Sequence, residues 1–523
     1  MTKARCRILA FDVRYFIRRN CDQLILVLIA LFLYLSFMSC SFDEWDSYNF
    51  GFALSQYDVE RHRPHPPGFP LYVLFGRVMM YLKGNPLVAL TMISAISGAL
   101  MVLPVYALSR KMYDRSTAVL TCLAMMFTPT VWILSEVALA DMLFTSLLTM
   151  AISLLYLGIK GAPRLLQFSW LIYGLAIGVR PNPSALTPLA LWITSTILTL
   201  KRTGKRVVVR GVLLFLIGVA AWSIPMISVV GWSRYLFLMR RQLFESSRFE
   251  SAWAMTRGLG PMERLSHVIM QTLAFSLGGA FVGADPLFAS TNPTVFFQGG
   301  LLILGIVACI VNLRKMVGRL FLFLWIAPYS AFAYLFGTLG YPRYYLPIIP
   351  AIMIAVVPST LAFTKTILRY RSGHSREDWG KATLRFVLPT ILTASFFINT
   401  LPLAMIIHTE PPPTKQLFDY VAANYPPGTA VIEYHEHRVF QFYRSEIQFL
   451  HSLYDRDKVM VELSRFSSEH TLLITTSAYE YLIRHPAIAE LRVSKVVEFF
   501  RDPHVVVEDH RVALYKVTYV VLR

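Results

Sequence analysis

Charged residues are scarce in this chain. They make up 15% of its 523 residues, whereas hydrophobic residues account for 55%, and the mean hydropathy is +0.51. Soluble domains carry about 25% charged residues, so this composition excludes a soluble globular protein. It predicts instead a membrane protein that crosses the bilayer several times.

Cysteine is also rare, with five residues in the whole sequence. Cys6 and Cys21 are expected on the cytoplasmic side, and Cys40, Cys122 and Cys309 fall within apolar segments. The outer loops therefore lack the cysteines of a disulfide framework. The spacing of the five residues does not match a metal site either.

Acidic residues are outnumbered by basic ones, 31 against 50, which gives a net charge of +19. In a soluble protein this excess would indicate nucleic-acid binding. Eleven apolar segments, however, are predicted to be long enough to cross a bilayer. They are residues 24–42, 87–109, 116–134, 139–158, 166–180, 184–200, 208–230, 295–312, 320–337, 345–363 and 386–407.

The basic residues follow this predicted topology. With the N-terminus in the cytoplasm, about half of them lie in short cytoplasmic loops, as the positive-inside rule requires. No nucleic-acid partner is therefore predicted. Residues 1–23 form a basic segment on the lipid surface, and 43–86, 231–294 and 408–523 lie outside the cytoplasm. The apolar segment 268–284 is interpreted as re-entrant, because a full crossing would reverse the charge rule downstream.

The sequence changes character after residue 407 and predicts a small extracytoplasmic α/β domain over 408–523. Its predicted strands lie around 429–435, 471–477, 495–500, 504–509 and 512–518, and its predicted helices at 415–424 and 478–490. Glu433, His435 and His437 would share one strand face. A polar strand face is favoured over a metal site, because the spacing is not that of a helical HExxH motif.

The run FDEWDSYNFGFALSQYDVERHRPHPPGFP at 42–70 follows directly on the first apolar segment. It places Asp43, Glu44 and Asp46 at the edge of the bilayer. Carboxylates are costly to draw into hydrocarbon, so a cluster at this boundary suits chemistry or the binding of a charged ligand. A solvated cap on the helix is the alternative.

The rest of this loop predicts local structure. Apolar positions in 49–56 predict a short amphipathic helix lying on the membrane, with Asp46 and Ser47 at its N-cap. The prolines of HRPHPPGFP cannot continue a helix and predict a rigid turn. His62 and His65 in this turn are candidates to bind a phosphate, with a purely structural turn as the alternative.

Several runs resemble the GT-C superfamily of glycosyltransferases. WDSYNFGFALSQYDV and HPPGFPLYVLFGR are similar to the first outer loop of bacterial protein-O-mannosyltransferase-like members. Further similar runs are TPTVWILSEVALADMLF at 128–144, GLAIGVRPNP at 174–183 and YPRYYLPIIP at 341–350. The resemblance covers most of 24–407. It implies a mainly α helix bundle in the bacterial plasma membrane, with an active site on the outer face.

The resemblance also implies a reaction, namely inverting transfer from a polyprenyl-phosphate-linked sugar to a protein or glycan acceptor. Such a displacement needs one carboxylate to accept the acceptor proton, and no strong acid, since phosphate leaves as a stable anion. Asp46 matches the loop aspartate of the resembling proteins and is the first candidate for this base. Asp43 is the second. Glu44 is a candidate either to orient the acceptor or to hold neighbouring Arg and Tyr side chains.

Two arginines are predicted to bind the donor phosphate, since a guanidinium can bind phosphate through two hydrogen bonds. Arg180 stands at the outer end of a helix, and Arg343 lies beside Tyr344 in an aromatic run. An interfacial arginine without a ligand is the alternative for both. Asp141 also faces outward, either to hold the acceptor or a sugar hydroxyl or as an acid at a helix N-terminus.

Three questions stay open at this level. The arginines and aromatic residues of 231–294 suit an amphipathic lid over a lipid phosphate or a plain interfacial helix. A divalent cation held by Asp43, Glu44 or Asp46 is an option. A transporter or lipid flippase is the alternative function, although it would place ionisable residues near mid-membrane rather than at one outer face.

Overall fold

The computed structural model of the protein describes most of the chain. The described residues are 13–245, 258–270, 317–336, 342–372, 386–443, 447–453, 455–466, 471–502 and 511–523, with single positions 248, 300, 303, 307, 384 and 505.

Helices dominate the first four hundred residues. The α-helices are Val13–Ser36, Trp45–Ser55, Pro70–Lys83, Pro86–Met112, Arg115–Phe127, Pro129–Leu134, Asp141–Ile159, Pro163–Val179, Leu189–Thr203, Lys205–Val230, Trp232–Glu245, Pro261–Met270, Val317–Phe336, Ile349–Ser372 and Val387–Thr409. Short 3-10 helices span Pro183–Leu186 and Pro342–Ile348.

Within the described ranges, six helical segments are long and apolar enough to cross a membrane. They are Pro86–Met112, Asp141–Ile159, Pro183–Thr203, Lys205–Val230, Arg343–Thr364 and Val387–Asn424. The prediction of a mainly helical membrane bundle is thereby confirmed. Every predicted segment except 295–312 overlaps a described helix. Nearly all of 295–312 and of 268–284 lies outside the described residues.

Close backbone packing fixes the helix that leads into the site. Helix Pro163–Val179 packs against Lys205–Val230. A Cβ atom on Gly174 would lie 2.6 Å from the backbone oxygen of Phe215, so only glycine permits this approach. Small residues at membrane helix interfaces allow such contacts. The residue after this helix, Arg180, therefore starts from a tightly held position.

The helix predicted in the first outer loop is present, and we call Trp45–Ser55 the loop helix. Its position differs from the prediction. Residues 47–54 are all buried, because the helix lies between Pro70–Lys83 and helix His437–Tyr443 of the C-terminal region. The predicted location on the membrane surface is therefore wrong, since protein covers the polar face as well as the apolar one.

The start of the loop helix also differs from the prediction. The helix begins at Trp45, and the N-cap residue is Glu44, which makes no capping hydrogen bond through its side chain. Asp46 therefore lies in the first turn rather than at the N-cap. The proline-rich turn that follows ends in a second helix, Pro70–Lys83, which the sequence analysis missed. Proline at the first helical position has a φ angle suited to helix initiation.

The C-terminal region forms one five-stranded sheet. Its strands are β1 Ala430–Glu433, β2 Gln448–His451, β3 Leu472–Thr475, β4 Ile488–Phe500 and β5 Arg511–Leu522, in the order β2-β1-β3-β5-β4. β1 is parallel to β2 and β3, whereas β5 is antiparallel to β3 and β4. The helices of this region are Pro413–Asn424, His437–Tyr443, Arg456–Ser464 and Thr476–Leu482.

Several local predictions for this region need correction. β2 was missed, because its sequence QFLH has only two apolar residues between polar ends. The predicted helix 478–490 ends at Leu482, since the chain enters β4 at Ile488. Glu433, His435 and His437 do not share a strand face: the strand ends at Glu433 and a helix begins at His437. Most of the predicted strand 504–509 lies outside the described residues.

Candidate active site

A cavity of about 520 Å³ lies where the ends of several helices meet. Asp46 of the loop helix lines it, as do Asp141, Arg180, Arg343 and Tyr344. His65 of the proline-rich turn completes the predicted residues on its wall. Six of the eight candidates named from the sequence thus face one space, although they come from five separate parts of the chain.

Of the three acids Asp43, Glu44 and Asp46, only Asp46 lines this cavity. Its side chain is 27% exposed, and Arg343 Nη2 donates a 2.8 Å hydrogen bond to Asp46 Oδ2. His65 Nδ1 lies 3.3 Å from Asp46 Oδ1. The carboxylate is therefore held between a guanidinium and an imidazole, with part of its surface facing the cavity.

Glu44 lies behind the cavity wall and is not among its lining residues. Its side chain is 5% exposed and accepts a hydrogen bond from Arg343 Nη1. Arg343 therefore bridges Glu44 and Asp46 with two nitrogens of one guanidinium. This arrangement fixes the plane of the guanidinium at the cavity.

A second ion pair lies on the same wall. Arg180 Nη1 donates to Asp141 Oδ1, and both side chains are buried. Both arginines lie near the Tyr344 ring, whose centroid is 5.0 Å from Arg180 Cζ and 5.4 Å from Arg343 Cζ. Two guanidinium groups thus approach one aromatic ring, which attracts cations through its π-electrons.

Burial and charge affect the three ionisable groups of the loop differently. Burial raises the pKa of Glu44 to about 7, against the opposing effect of Arg343. Burial also works against ionisation of Asp46, but the positive groups around it, His65 when protonated, Arg343 and Arg180, outweigh burial and lower its pKa.

Burial lowers the pKa of His65 despite the neighbouring Asp46. The imidazole is therefore neutral near pH 7, and the arginines are the groups that keep Asp46 ionised under those conditions. The position of Asp46 in the first turn of the loop helix favours the same charge state. The cavity thus holds an ionised carboxylate at neutral pH.

The remaining wall of the cavity is largely apolar. Phe332 and Phe336 come from helix Val317–Phe336, and Met239 and Leu243 come from helix Trp232–Glu245. The second helix belongs to the segment 231–294, for which a lid or a plain interfacial helix was predicted, and it contributes to the cavity wall. The cavity therefore combines a charged end with an apolar end, as a ligand with a polar head and a hydrocarbon tail requires.

Asp43 occupies a different place from Asp46. It does not line the cavity, and its side chain is 7% exposed. Arg501 Nη1 donates a 2.6 Å hydrogen bond to Asp43 Oδ1, and Ser39 Oγ donates to Oδ2. Arg501 comes from the end of β4, so this ion pair joins the C-terminal sheet to the first outer loop.

Arg501 was missed from the sequence, because nothing near residue 501 marks it as a partner of a loop more than four hundred residues earlier. Asn182 and Gln242 also line the cavity and were not selected. Asn182 lies in GLAIGVRPNP, so the resemblance offered a signal for it. Among the described residues, no group of three or more His, Cys, Asp or Glu side chains is arranged to hold a metal ion.

Part of the chain is similar in sequence to a known family. Residues 64–232 match the model of a family described as dolichyl-phosphate-mannose-protein mannosyltransferase. No curated protein matches the chain in sequence.

Solved structures share the fold over nearly the whole chain. The structure of ArnT from Cupriavidus metallidurans bound to undecaprenyl phosphate has a TM-score of 0.59 at 12% identity, covering 95% of this chain and 98% of ArnT. Apo ArnT gives 0.54 at 12% identity, over 94% and 97% of the two chains. The apo oligosaccharyltransferase of Archaeoglobus fulgidus gives 0.50 at 11% identity, over 89% and 70%.

The chain therefore has the fold of ArnT, a GT-C type membrane protein, and over residues 64–232 it is similar in sequence to the mannosyltransferase family model. The GT-C fold, predicted from the loop runs, is confirmed.

Proposed function

We propose that the chain transfers a sugar from a polyprenyl-phosphate carrier to an acceptor outside the cytoplasm, with Asp46 as the base. The observation that carries this proposal is the meeting of the partly exposed Asp46 carboxylate with two arginines, Arg343 and Arg180, in a single cavity. The family match and the similarity in fold to ArnT, a protein solved with undecaprenyl phosphate, support the donor class.

In the proposed step, the oxygen of the acceptor hydroxyl attacks the anomeric carbon of the sugar. The bond from that carbon to the phosphate oxygen breaks, and its electron pair leaves with the phosphate. The hydroxyl proton passes to Asp46, and the single displacement inverts the configuration. Polyprenyl phosphate leaves as a stable anion, so no general acid is required.

The arginines have two effects in this mechanism. Before the donor binds, they stabilise ionised Asp46 and make it a weak base. A bound phosphate places negative charge beside Arg343 and Arg180, which offsets their field at Asp46. Asp46 therefore becomes a stronger base when the donor is present. Each arginine has five N–H donors. After pairing with carboxylates, each therefore still has N–H groups that can bind phosphate.

The rest of the cavity suits the same donor. The aromatic and aliphatic wall formed by Phe332, Phe336 and Leu243 would contact the first isoprenoid units. Asn182 and Gln242 would hydrogen-bond sugar hydroxyls. The bundle would lie in a bacterial inner membrane, with the N-terminus in the cytoplasm and the cavity and C-terminal sheet on the outer side, as the distribution of basic residues favours.

The family model matched by 64–232 favours mannose. A protein hydroxyl and a hydroxyl of an envelope glycan would both fit the mechanism, because either is deprotonated by the same carboxylate. Transfer needs no divalent ion in this scheme, and loss of activity in a chelator would contradict that part.

Purified protein in lipid nanodiscs should convert one of a panel of radiolabelled polyprenyl-phosphate sugars, with wild type and Asp46→Asn assayed side by side. Product isolated from membrane extracts would identify the acceptor. The expected result is transfer by the wild type and its loss in the variant. Absence of transfer from every donor, with correctly folded protein, would overturn the proposal.

A further inference from the structure

A second cavity, of about 690 Å³, lies in the C-terminal sheet. Tyr434, His435 and Glu436 follow β1, and Thr476 and Ser477 follow β3; all of them line it. β1 and β3 are adjacent and parallel. From β1 the chain continues to β2 on one side, and from β3 it continues to the β4 and β5 side. Ligands of open α/β sheets bind at such a switch point, beyond the carboxyl ends of the strands.

The floor of this cavity is a preformed hydrogen-bond network. Glu436 is 1% exposed. Its Oε2 atom accepts hydrogen bonds from Ser477 Oγ at 2.7 Å and from Thr475 Oγ1 at 3.0 Å. The His435 backbone N–H donates to Ser477 Oγ at 3.2 Å. These bonds fix the positions of polar groups before any ligand arrives, which lowers the entropy cost of binding.

The walls combine aromatic rings with balanced charge. The Tyr434 and Tyr481 rings stack with their centroids 5.0 Å apart and an angle of 15° between their planes. Two acidic and two basic side chains line the cavity, so with histidines counted as neutral the formal charge is zero. They are Glu436, Glu480, Arg484 and Arg511. A zero net charge disfavours a phosphate or another anion, whereas rings beside hydrogen-bonding groups suit an amphipathic, uncharged ligand.

We propose that this cavity binds a neutral saccharide unit of the acceptor. The proposal rests on the proposed glycosyltransferase function for the identity of the ligand, and on the cavity itself for the binding. The sheet is joined to the first outer loop through Arg501 and Asp43. A glycan held in the cavity is therefore tethered to the enzyme, which raises its effective concentration near the membrane bundle.

Saturation-transfer NMR on the full chain in nanodiscs tests the binding directly. The probes are short manno-, gluco- and galacto-oligosaccharides, with inorganic phosphate and glucuronate as anionic competitors. At least one neutral series should bind. Tyr481→Ala and Ser477→Ala should each weaken it by about fivefold or more, the effect of one lost contact. Tyr519→Ala, which removes an exposed ring of β5 outside the cavity, is the matched control and should bind as the wild type does.

Two outcomes would overturn the saccharide site: no binding of any neutral probe, or binding that Tyr481→Ala and Ser477→Ala leave unchanged. Binding of phosphate or glucuronate alone would also overturn it. Thermal melting of each variant shows whether the fold is retained. Tyr481→Phe, which keeps the ring and removes only the hydroxyl, should bind as the wild type does.

Two variants distinguish failure of the saccharide site from failure of the proposed glycosyltransferase function. Asp46→Asn should abolish transfer and leave saccharide binding intact. Tyr481→Ala should raise the KM for a long glycan acceptor and leave kcat on a short acceptor unchanged. Tyr481-dependent binding by a chain that transfers no sugar would contradict the proposed function alone. Transfer without any saccharide binding would contradict only the second cavity.

Discussion

Asp43 and Asp46 are three residues apart in the first outer loop. Each is paired with an arginine that is distant in the sequence. Asp46 contacts Arg343 at the cavity and is 27% exposed. Asp43 contacts Arg501 at the junction with the C-terminal sheet and is 7% exposed. The ion pair alone does not distinguish a reacting group from an anchoring group. Access to the cavity does distinguish them. On that basis we propose that Asp46 takes part in the reaction and that Asp43 anchors the junction.

Replacement of Asp46 should have the largest effect on activity. Asp46→Asn should lower turnover by about a thousandfold, since the acceptor proton loses its carboxylate. The measurement is initial rate with a polyprenyl-phosphate sugar, normalised to folded protein. Asp419→Asn, on an exposed carboxylate of the C-terminal region, is the control and should retain full activity. Wild-type turnover in Asp46→Asn would remove Asp46 from the mechanism.

The arginine of the cavity should come next in effect. Arg343→Lys keeps the positive charge but cannot bridge Glu44, Asp46 and a phosphate at once. We expect kcat/KM for the donor to fall by about ten- to a hundredfold, the effect of one or two charge-assisted hydrogen bonds. Lys415→Arg, at a distant salt bridge with Asp419, serves as the converse control. A donor KM unchanged in Arg343→Lys would separate this arginine from phosphate binding.

Breaking the ion pair between Asp43 and Arg501 should lower the stability of the fold rather than its catalytic activity. Arg501→Gln leaves the buried Asp43 carboxylate without its cation, at a cost of ~3–5 kcal/mol. Thermal unfolding should shift downward, while the folded fraction keeps the pH profile of the wild type. Adding Asp43→Asn to Arg501→Gln should recover part of the loss, because both charges are then absent. A double variant no more stable than Arg501→Gln would argue against the pair.

The smallest effect should come from Glu44. Its raised pKa, about 7, means that it loses its proton as the pH rises through neutrality. Below that pH the neutral acid leaves the site more positive by one charge, so the donor phosphate should bind more tightly. Donor KM should therefore rise a few-fold between pH 6 and pH 8 (about one titration range on either side of this pKa). Glu44→Gln should flatten this dependence, and an unchanged pH profile would rule out Glu44 as its origin.

Much of the membrane bundle was predictable, because hydrophobic length and loop charge are local properties of the sequence. The cavity was predictable only in part. Arg180, Arg343 and Asp141 could be placed at outer helix ends, but their pairing with particular acids depends on how helices pack. The loop helix shows the same limit: its amphipathic pattern predicts a helix, whereas its burial depends on partners hundreds of residues away.

In the C-terminal region, strand ends were the feature that the sequence predicted least well. Strands β1 and β3 are short runs of apolar residues and were found, whereas β2 carries too little alternation to be recognised. The metal-like spacing of Glu433, His435 and His437 came from extending β1 past its true end. A strand boundary set by the sheet, rather than by residue preference, decides which side chains are neighbours.

The first outer loop is synthesised long before the residues that pair with its acids. Asp46 leaves the ribosome early, but its partner Arg343 follows 297 residues later, and the Arg501 partner of Asp43 follows 458 residues after it. Long loop closures of this kind come late in folding. The reactive loop must therefore wait beside a growing helix bundle until the last strands are made. An unfinished chain would contain every helix of the bundle and still lack a completed site.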